Sequence, residues 1–119
     1  MSSDYQMNIS GEVRYLEKVA LLPNSTLHVT LQDISLQDVP AKELASQTIR
    51  NAETTGLDFD LVYNTADVLD GHRYSVSAEI RTNGRLVFIN TEHHLVELGV
   101  NYLKPIEILV QSIASAPPQ

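Results

Sequence analysis

The sequence predicts an all-β protein, folded as an antiparallel two-sheet β-sandwich of about seven strands in an immunoglobulin- or transthyretin-like arrangement. Two observations carry this prediction. Apolar and polar residues alternate along most of the 119 residues, in short segments separated by glycine, proline, asparagine or aspartate. The pair Asn83-Gly84 also stands between two such segments, and it is typical of a tight hairpin because both residues tolerate a positive φ.

The first strands follow directly from this alternation. Residues 5–15 predict a long half-buried strand in which Gly11 marks a bulge or bend, and residues 27–31 predict the second strand. Residues 33–40 then connect to the next element, because Pro40 has no N–H to donate within a central strand.

The middle of the chain is less uniform. Residues 45–52 are a weaker candidate strand, and the alternative is a short helix opened by Pro40 and running through Lys42-Glu43-Leu44. Residues 57–63 alternate between large apolar side chains and a mostly acidic set, which predicts a strand with one solvated face. Residues 65–68 predict one helical turn, capped by Asn64 or Thr65.

Residues 74–80 and 85–89 form the hairpin, whose register the Asn-Gly turn leaves open. A two-residue loop pairs Ile80 with Val87, whereas a three-residue loop with a bulge brings Ile80 beside Phe88. The second segment has four successive apolar residues, so it predicts a central strand buried on both faces.

The last candidate strand covers residues 106–110, and its extension to Ile113 stays open. With no internal linker or repeat, residues 5–113 are expected to form one domain and residues 114–119 a flexible C-terminal tail.

Composition and charge exclude several classes of function. Eight basic residues against 15 acidic ones give a net charge of −7 with the histidines neutral, and no lysine or arginine cluster is present. Such a surface repels phosphate groups, so we expect neither nucleic acid nor an anionic membrane as a partner. The absence of cysteine excludes disulfides, thiolate catalysis and cysteine-ligated metals.

The sequence shows no segment expected to insert into a membrane. No apolar run approaches the roughly 20 residues of a membrane helix. Residues 1–10 also lack the features of a signal peptide. We therefore expect either a periplasmic or outer-membrane-tethered protein from which a leader was removed, or a soluble cytoplasmic one.

Glu92, His93 and His94 suggest a metal site. Neighbouring side chains of an extended backbone point to opposite faces, so the two histidines cannot share an ion. Glu92 and His94 could share one with a third ligand such as His72, but no recognised ligand spacing is present. We therefore interpret these residues as polar positions of a strand or loop.

Asp58 and Asp60 are a second candidate. They lie on one face of the predicted strand, roughly 6.5–7 Å apart, and paired carboxylates can hydrolyse glycosides or bind calcium. The clean alternation with apolar residues favours a solvated face instead. Asp67 and Asp70 likewise fit cap and turn chemistry better than a cation-binding loop.

Tyrosines could form a platform for ligand stacking. At inward strand positions we prefer a ring in the core and a hydroxyl that reaches an edge. The tyrosines are Tyr5, Tyr15, Tyr63, Tyr74 and Tyr102. Neither a nucleophile elbow nor a phosphate-binding glycine loop is present. The sequence thus predicts no catalytic residue, no cofactor and no metal, and a protein that is not an enzyme.

Four stretches of the chain form a recognisable set. They are Gly11-x-Val13-x-Tyr15, Ala20-Leu21-Leu22-Pro23, Leu27-x-Val29-x-Leu31-x-Asp33-Ile34-Ser35-Leu36-x-Asp38-x-Pro40-Ala41, and His72-x-Tyr74 leading to Gly84-Arg85-Leu86-x-Phe88. Together they resemble the YbaY/YscW-like bacterial lipoprotein family, which includes type III secretion pilotins. The resemblance spans about residues 9–90, and residues 27–41 are its most specific part.

This resemblance implies a β-sandwich tethered by lipid to the outer membrane, and for some members a chaperone that helps a secretin subunit reach that membrane. It implies no catalytic residues. The chain departs from the family's lipoproteins in lacking a signal peptide and a lipid-bearing cysteine.

The leading hypothesis is a non-enzymatic cell-envelope interaction domain whose partner is an outer-membrane or secretion-system protein. An exposed strand edge could accept an extended peptide, or an apolar groove could accept an amphipathic helix. Residues 5–15 and 45–52 are the expected edges. The alternatives are a small-molecule or carbohydrate-binding, even hydrolytic, domain that uses Asp58, Asp60 or the histidines, and a structural envelope protein without a specific ligand.

Overall fold

The structure, a computed structural model, describes residues 6–36, 39–90, 93–100 and 102–113. Within these ranges the chain forms nine strands, one short α-helix and one 3₁₀ turn. In chain order they are β1 (Gln6–Arg14), β2 (Ser25–Asp33), β3 (Lys42–Arg50), α1 (Ala52–Thr55), β4 (Asp58–Asn64), the 3₁₀ turn (Thr65–Asp67), β5 (Tyr74–Thr82), β6 (Arg85–Ile89), β7 (His94–Val96), β8 (Ile106–Leu109) and β9 (Gln111–Ser112).

These strands form two packed sheets, so the predicted β-sandwich is confirmed. The first sheet has the order β4-β1-β8, and the second has the order β3-β2-β5-β6-β9 with β7 paired to β5 beside β6. Strand pairs are antiparallel except for β1 with β8. A parallel pair needs a long connection, and most of the chain separates these two strands.

The core lies between the sheets and is built from alternate strand positions. The most deeply buried apolar side chains come from five strands of both sheets. They are Ile9, Val13, Leu27, Val29, Leu31, Leu61, Val76, Ile80 and Ile108. The alternation in residues 27–31 and 57–63 therefore identifies the core-facing side chains correctly.

Gly11 lies in an uninterrupted ladder, so the predicted bulge or bend there is wrong. It pairs with Phe59 of β4 on one side and with Ile106 of β8 on the other. A Cβ atom at this position would lie 2.5 Å from the Ile106 carbonyl oxygen and 2.6 Å from Phe59 Cζ. The glycine is required by this close approach and not by a bend of the backbone.

The sheet order corrects one of the two expected edges. β1 is the middle strand of the first sheet, so residues 5–15 are not an edge in their described part. β3 is an outer strand of the second sheet, as expected for residues 45–52. The edge of β3 meets the edge of β4, where Gln47 Oε1 accepts the backbone N–H of Asp60 at 2.7 Å.

β3 begins earlier than expected, and the alternative helix at residues 40–44 is wrong. Lys42 already pairs with Asp33 of β2. The strand ends at Arg50, and Asn51, with φ 53°, turns the chain into the unpredicted α1. Pairing with an existing strand outweighs the helical preference of a few residues after a proline.

The β5–β6 hairpin combines the two registers that the sequence left open. The loop has two residues, with φ 53° at Asn83 and 81° at Gly84. A bulge then shifts the pairing so that Ile80 faces Phe88 instead of Val87. This shift turns the Phe88 ring toward the core, whereas the unshifted register would turn it outward.

Three further segments complete the comparison with the sequence. The predicted helical turn is the 3₁₀ turn, capped by Asn64, whose side chain accepts the N–H of Ala66 at 2.8 Å. The last strand extends as the open alternative allowed, but it changes sheets at Val110, between β8 and β9. β7 was not predicted.

In the described ranges no helix is long and apolar enough to cross a membrane.

Candidate functional site

The acidic pair of β4 lies on the outer surface of the first sheet. Asp58 and Asp60 are both exposed. Asp60 Oδ1 accepts hydrogen bonds from Asn8 Nδ2 at 2.6 Å and from Ser10 Oγ at 2.5 Å, both on the neighbouring β1. The Asp60 carboxylate therefore joins two strands across a polar surface.

The structure does not bring the candidate histidines together. His94 pairs with Val76, four residues beyond His72, which corresponds to roughly 13 Å along the strand. His93 precedes β7 and is exposed, and Glu92 lies outside the described residues. Partial burial lowers the pKa of His94. Across the described ranges, no three histidine, aspartate or glutamate residues are placed to hold a metal ion.

His72 instead forms a hydrogen bond with Asp33 that the sequence did not reveal. Its Nδ1 lies 2.5 Å from Asp33 Oδ2, and Asp33 Oδ1 accepts the N–H of Ser35 at 2.9 Å. Partial burial would raise the pKa of Asp33, but the hydrogen bonds from His72 and Ser35 lower it to about 2. The pair joins the end of β2 to the segment that enters β5.

Backbone contacts complete this junction. Ile34 N–H donates to the Arg73 carbonyl at 2.9 Å, and Arg73 N–H donates to Ser35 Oγ at 2.6 Å. The residues of the most specific resemblance, Asp33-Ile34-Ser35, thus hold the loop after β2 against the start of β5.

Asp67 and Asp70 lie in the connection between β4 and β5. Asp67 ends the 3₁₀ turn, with its Oδ1 4.0 Å from Lys42 Nζ. Asp70 stands in the turn before Gly71, which has φ 79°. This placement agrees with the turn chemistry preferred from the sequence.

The same end of the sandwich contains an open cavity of about 520 Å³. Residues 68–74, before and within the start of β5, form one wall, and residues 95–98, in and after β7, form the other. Apolar side chains in these walls include Val68, Leu69, Leu95, Val96 and Leu98. Leu69 and Leu95 are about half exposed, which is unusual for two leucines beside one cavity.

The loop after β2 adds to this surface. Leu36 is 65% exposed. It directly follows Ile34 and Ser35, which are bonded to Arg73 of the cavity wall. We call the exposed set Leu36, Leu69 and Leu95, together with the cavity, the apolar end.

Tyrosine hydroxyls hold the walls of the apolar end. Tyr74 is buried, and its hydroxyl accepts the N–H of Leu69 at 2.7 Å. Tyr63 is also buried, and its hydroxyl accepts the N–H of Gly99 at 2.8 Å. These two residues match the preferred interpretation of a ring in the core and a hydroxyl at an edge.

The other tyrosines differ from one another. Tyr15 is half-buried and stacks at 4.8 Å on Phe88 near the opposite end of the sandwich. Tyr102 is 39% exposed and bonds through its hydroxyl to the backbone of Glu97. Tyr5 lies outside the described residues. The rings form no common stacking platform among the residues that the structure describes.

The sequence did not single out the apolar end. Its exposed leucines stand in loops or at the short β7, where no periodic pattern separates inward from outward positions. The available signal was Leu36, a large apolar residue in a segment that the sequence predicts to be a connection.

Comparison with known proteins gives consistent matches. Residues 4–102 match the family described as type III secretion system lipoprotein chaperone (YscW). The chain is also similar to the uncharacterized lipoprotein YbaY of Escherichia coli K12, with 45% identity over 85 residues, which is 71% of the chain. It spans about half the length of that curated relative, 45%.

A solved structure agrees with this match. An alternative pilotin from the type II secretion system of Vibrio cholerae is 35% identical in sequence, with a TM-score of 0.80. The similarity covers 92% of this chain and 98% of that one. At this identity the likeness extends beyond the fold to the sequence.

Proposed function

From the premise that the chain belongs to the YscW family of type III secretion system lipoprotein chaperones, we propose that it is a non-enzymatic chaperone of a secretin-type outer-membrane subunit. The observation that carries this proposal is the apolar end. Leu69 and Leu95, both about half exposed, line an open cavity at one end of the sandwich, and the exposed Leu36 directly follows residues held beside that cavity. A surface of this kind marks a contact with another molecule.

The partner segment that fits this surface is a short amphipathic one. Full burial of a leucine side chain stabilises a complex by about 1.5–3 kcal/mol. Leu69 and Leu95 are about half exposed already, so each has roughly half of that available. Together with Leu36 they supply anchors for an apolar helix face placed in the groove.

Charge sets the preferred character of the rest of that segment. The chain carries a net charge of −7, and Asp70 and Glu97 line the cavity. A segment with basic residues beside its apolar face is therefore favoured, and its association slows as ionic strength rises.

The proposed location is the cell envelope, with a lipid tether to the outer membrane in the full-length protein. The lipoprotein family and the lipoprotein relative support this location. A tethered chaperone keeps an aggregation-prone subunit close to the membrane in which that subunit assembles.

Binding of secretin segments tests the proposal. We would measure, by fluorescence anisotropy, the affinity for overlapping labelled peptides that cover the secretin subunits encoded in the same genome. One peptide is expected to bind, and the double variant Leu69→Ser/Leu95→Ser is expected to weaken it at least tenfold. Leu16→Ser is the matched control, because Leu16 is 78% exposed beyond the far end of β1.

Two results would contradict the proposal. The first is that neither a peptide nor an intact secretin subunit binds at micromolar protein concentration. The second is that a peptide binds equally well to the double variant. Because both leucines are substantially exposed, the substitutions should leave the fold intact, which circular dichroism checks.

A further inference from the structure

A second cleft lies on the outer face of the second sheet, away from the apolar end. It has a volume of about 220 Å³ and shares no lining residue with the cavity of the apolar end. Polar side chains of β2, β5 and the residue after β6 dominate its lining. They are His28, Thr30, Gln32, Ser77, Glu79 and Asn90. The solvated face of an antiparallel sheet is usually an open polar surface. Here the polar face is concave and forms a cleft.

The floor of the cleft is a pair of hydroxyl residues. Thr30 of β2 lies directly opposite Ser77 of β5. Thr30 is only 9% exposed, yet its hydroxyl forms no hydrogen bond with any other residue that the structure describes. The hydroxyl is not among the buried side-chain atoms without a partner, so a molecule in the cleft can reach it. The Thr30 hydroxyl is therefore available to a bound molecule.

The walls of the cleft are held in place by neighbouring residues. His28 Nδ1 lies 2.9 Å from Thr48 Oγ1, so its Nε2 is left for other contacts. Glu79 Oε2 accepts the Arg81 Nε–H at 2.8 Å, which orients the carboxylate. Asn90 Oδ1 accepts the backbone N–H of Ala78 at 2.9 Å. Groups that are already oriented lose little freedom on binding.

Size and charge restrict the ligand. A volume of 220 Å³ corresponds to roughly seven water molecules at about 30 Å³ each, which is room for one small ring. Glu79 and the net charge of −7 oppose an anion. A metal ion would need several ligands in one place, and no such group occurs in the described ranges. A neutral ring with several hydroxyls can both donate to and accept from this mixed lining.

We propose that this cleft binds a single neutral sugar ring, such as a terminal unit of a cell-envelope glycan. Its hydroxyls bond to Thr30, Ser77 and Glu79, while Ile89, which pairs with Glu79, contacts the apolar face of the ring. The affinity of such a site for a single sugar ring would be low. Its role would be to position the protein within the envelope. It is independent of the secretin partner, since the two clefts are separate.

The test is a ¹⁵N–¹H NMR titration of the whole chain with glucose, galactose and N-acetylglucosamine, each to about tenfold above the protein concentration and then into the tens-of-millimolar range typical of weak sites. At least one sugar is expected to give saturable shifts at the amides of residues 28–32, 77–79 and 89–90. Thr30→Val keeps the shape and the strand preference and should weaken binding about fivefold, the value for one neutral hydrogen bond.

Thr26→Val is the matched control, since Thr26 lies on the same face of β2 outside the cleft. It should bind like the unchanged chain. Absence of saturable shifts with all three sugars would overturn the proposal. Equal weakening by both variants, or stronger binding of inorganic phosphate than of any sugar, would overturn it as well. The spectrum of each variant reports directly whether it is folded.

Discussion

Gln47 on β3 and Asp60 on β4 join the two sheets at their shared edge. The Gln47 side-chain oxygen accepts the backbone N–H of Asp60 at 2.7 Å, although the two residues belong to different sheets. Position 47 lies opposite the fully buried Val29, so its side chain points toward the core side of the sheet. A single polar residue among inward positions thus satisfies an edge strand that would otherwise be open.

We expect Gln47→Leu to destabilise the protein by about 1 kcal/mol, because the Asp60 N–H loses its acceptor at a partly solvated edge. For a chain of this size the midpoint of thermal unfolding should fall by roughly 4 °C. Hydrogen exchange at Asp60 should accelerate. Ser46→Ala, at an exposed neighbouring position, is the control and should change neither quantity. An unchanged Asp60 exchange rate would show that the bond is not important at this edge.

The Asp33–His72 pair predicts acid sensitivity. The pKa of Asp33 is lowered to about 2 in the folded chain, compared with 3.8 ordinarily. A lowered pKa stabilises the fold above pH 4, and this contribution disappears as the pH falls toward 2. In urea unfolding, the unchanged chain should lose stability over that interval more steeply than Asp33→Asn.

At neutral pH the same variant should be less stable by about 1–3 kcal/mol, because His72 and Ser35 lose a charged acceptor. Asp70→Asn, in the nearby turn, is a suitable control. Parallel pH profiles for the unchanged chain and Asp33→Asn would contradict the role assigned to the pair.

Gly11→Ala should be severely destabilising, by about 1–3 kcal/mol or more, since the added methyl group would overlap Ile106 and Phe59. Glu12→Ala, at the next and exposed position, should stay within about 0.5 kcal/mol. Urea unfolding of both variants gives the comparison. If Gly11→Ala left the free energy of unfolding unchanged, β8 would be able to move away from β1 at little energetic cost.

Tyr63→Phe should loosen the wall of the apolar end without removing an apolar ring. The Gly99 N–H loses the hydroxyl that accepts it, so its hydrogen exchange should accelerate, and the protein should lose about 1 kcal/mol. Tyr15→Phe removes a hydroxyl that donates to Val19 at the other end and is the control. If the Gly99 exchange rate responded equally to both variants, the contact would not act locally.

Asp58→Asn/Asp60→Asn tests the hydrolytic alternative. An asparagine at position 60 can still accept from Asn8 and Ser10, so we expect folding and secretin binding to stay within twofold of the unchanged chain. Loss of a sugar-cleaving activity in this variant, measured with chromogenic glycosides, would instead support an enzyme.

The sequence predicted the elements whose alternation reflects burial. Residues 27–31 and 57–63 show a two-residue period because one face of each strand packs in the core. The Asn-Gly pair likewise predicted the loop of the hairpin from its backbone requirement alone. The sequence offered a bulge that brings Ile80 opposite Phe88 only as one of two open registers, since the choice depends on which side of β6 meets the core.

The candidate site was less accessible to sequence reasoning. The resemblance to lipoproteins indicated a chaperone family, and the family match confirms it. The Asp33–His72 contact joins residues 39 positions apart, and Leu69 and Leu95 line one cavity from different segments of the chain. No local period connects such residues.

The sequence by itself determined the all-β class, most strand positions and the family, because local periodicity and short motifs are properties of neighbouring residues. Only the tertiary structure decided that β1 is central rather than an edge, that Gly11 serves close packing, and that Leu69 and Leu95 line one cavity. These features depend on which strands and loops become neighbours, and the free energy that selects those neighbours comes from contacts between distant parts of the chain.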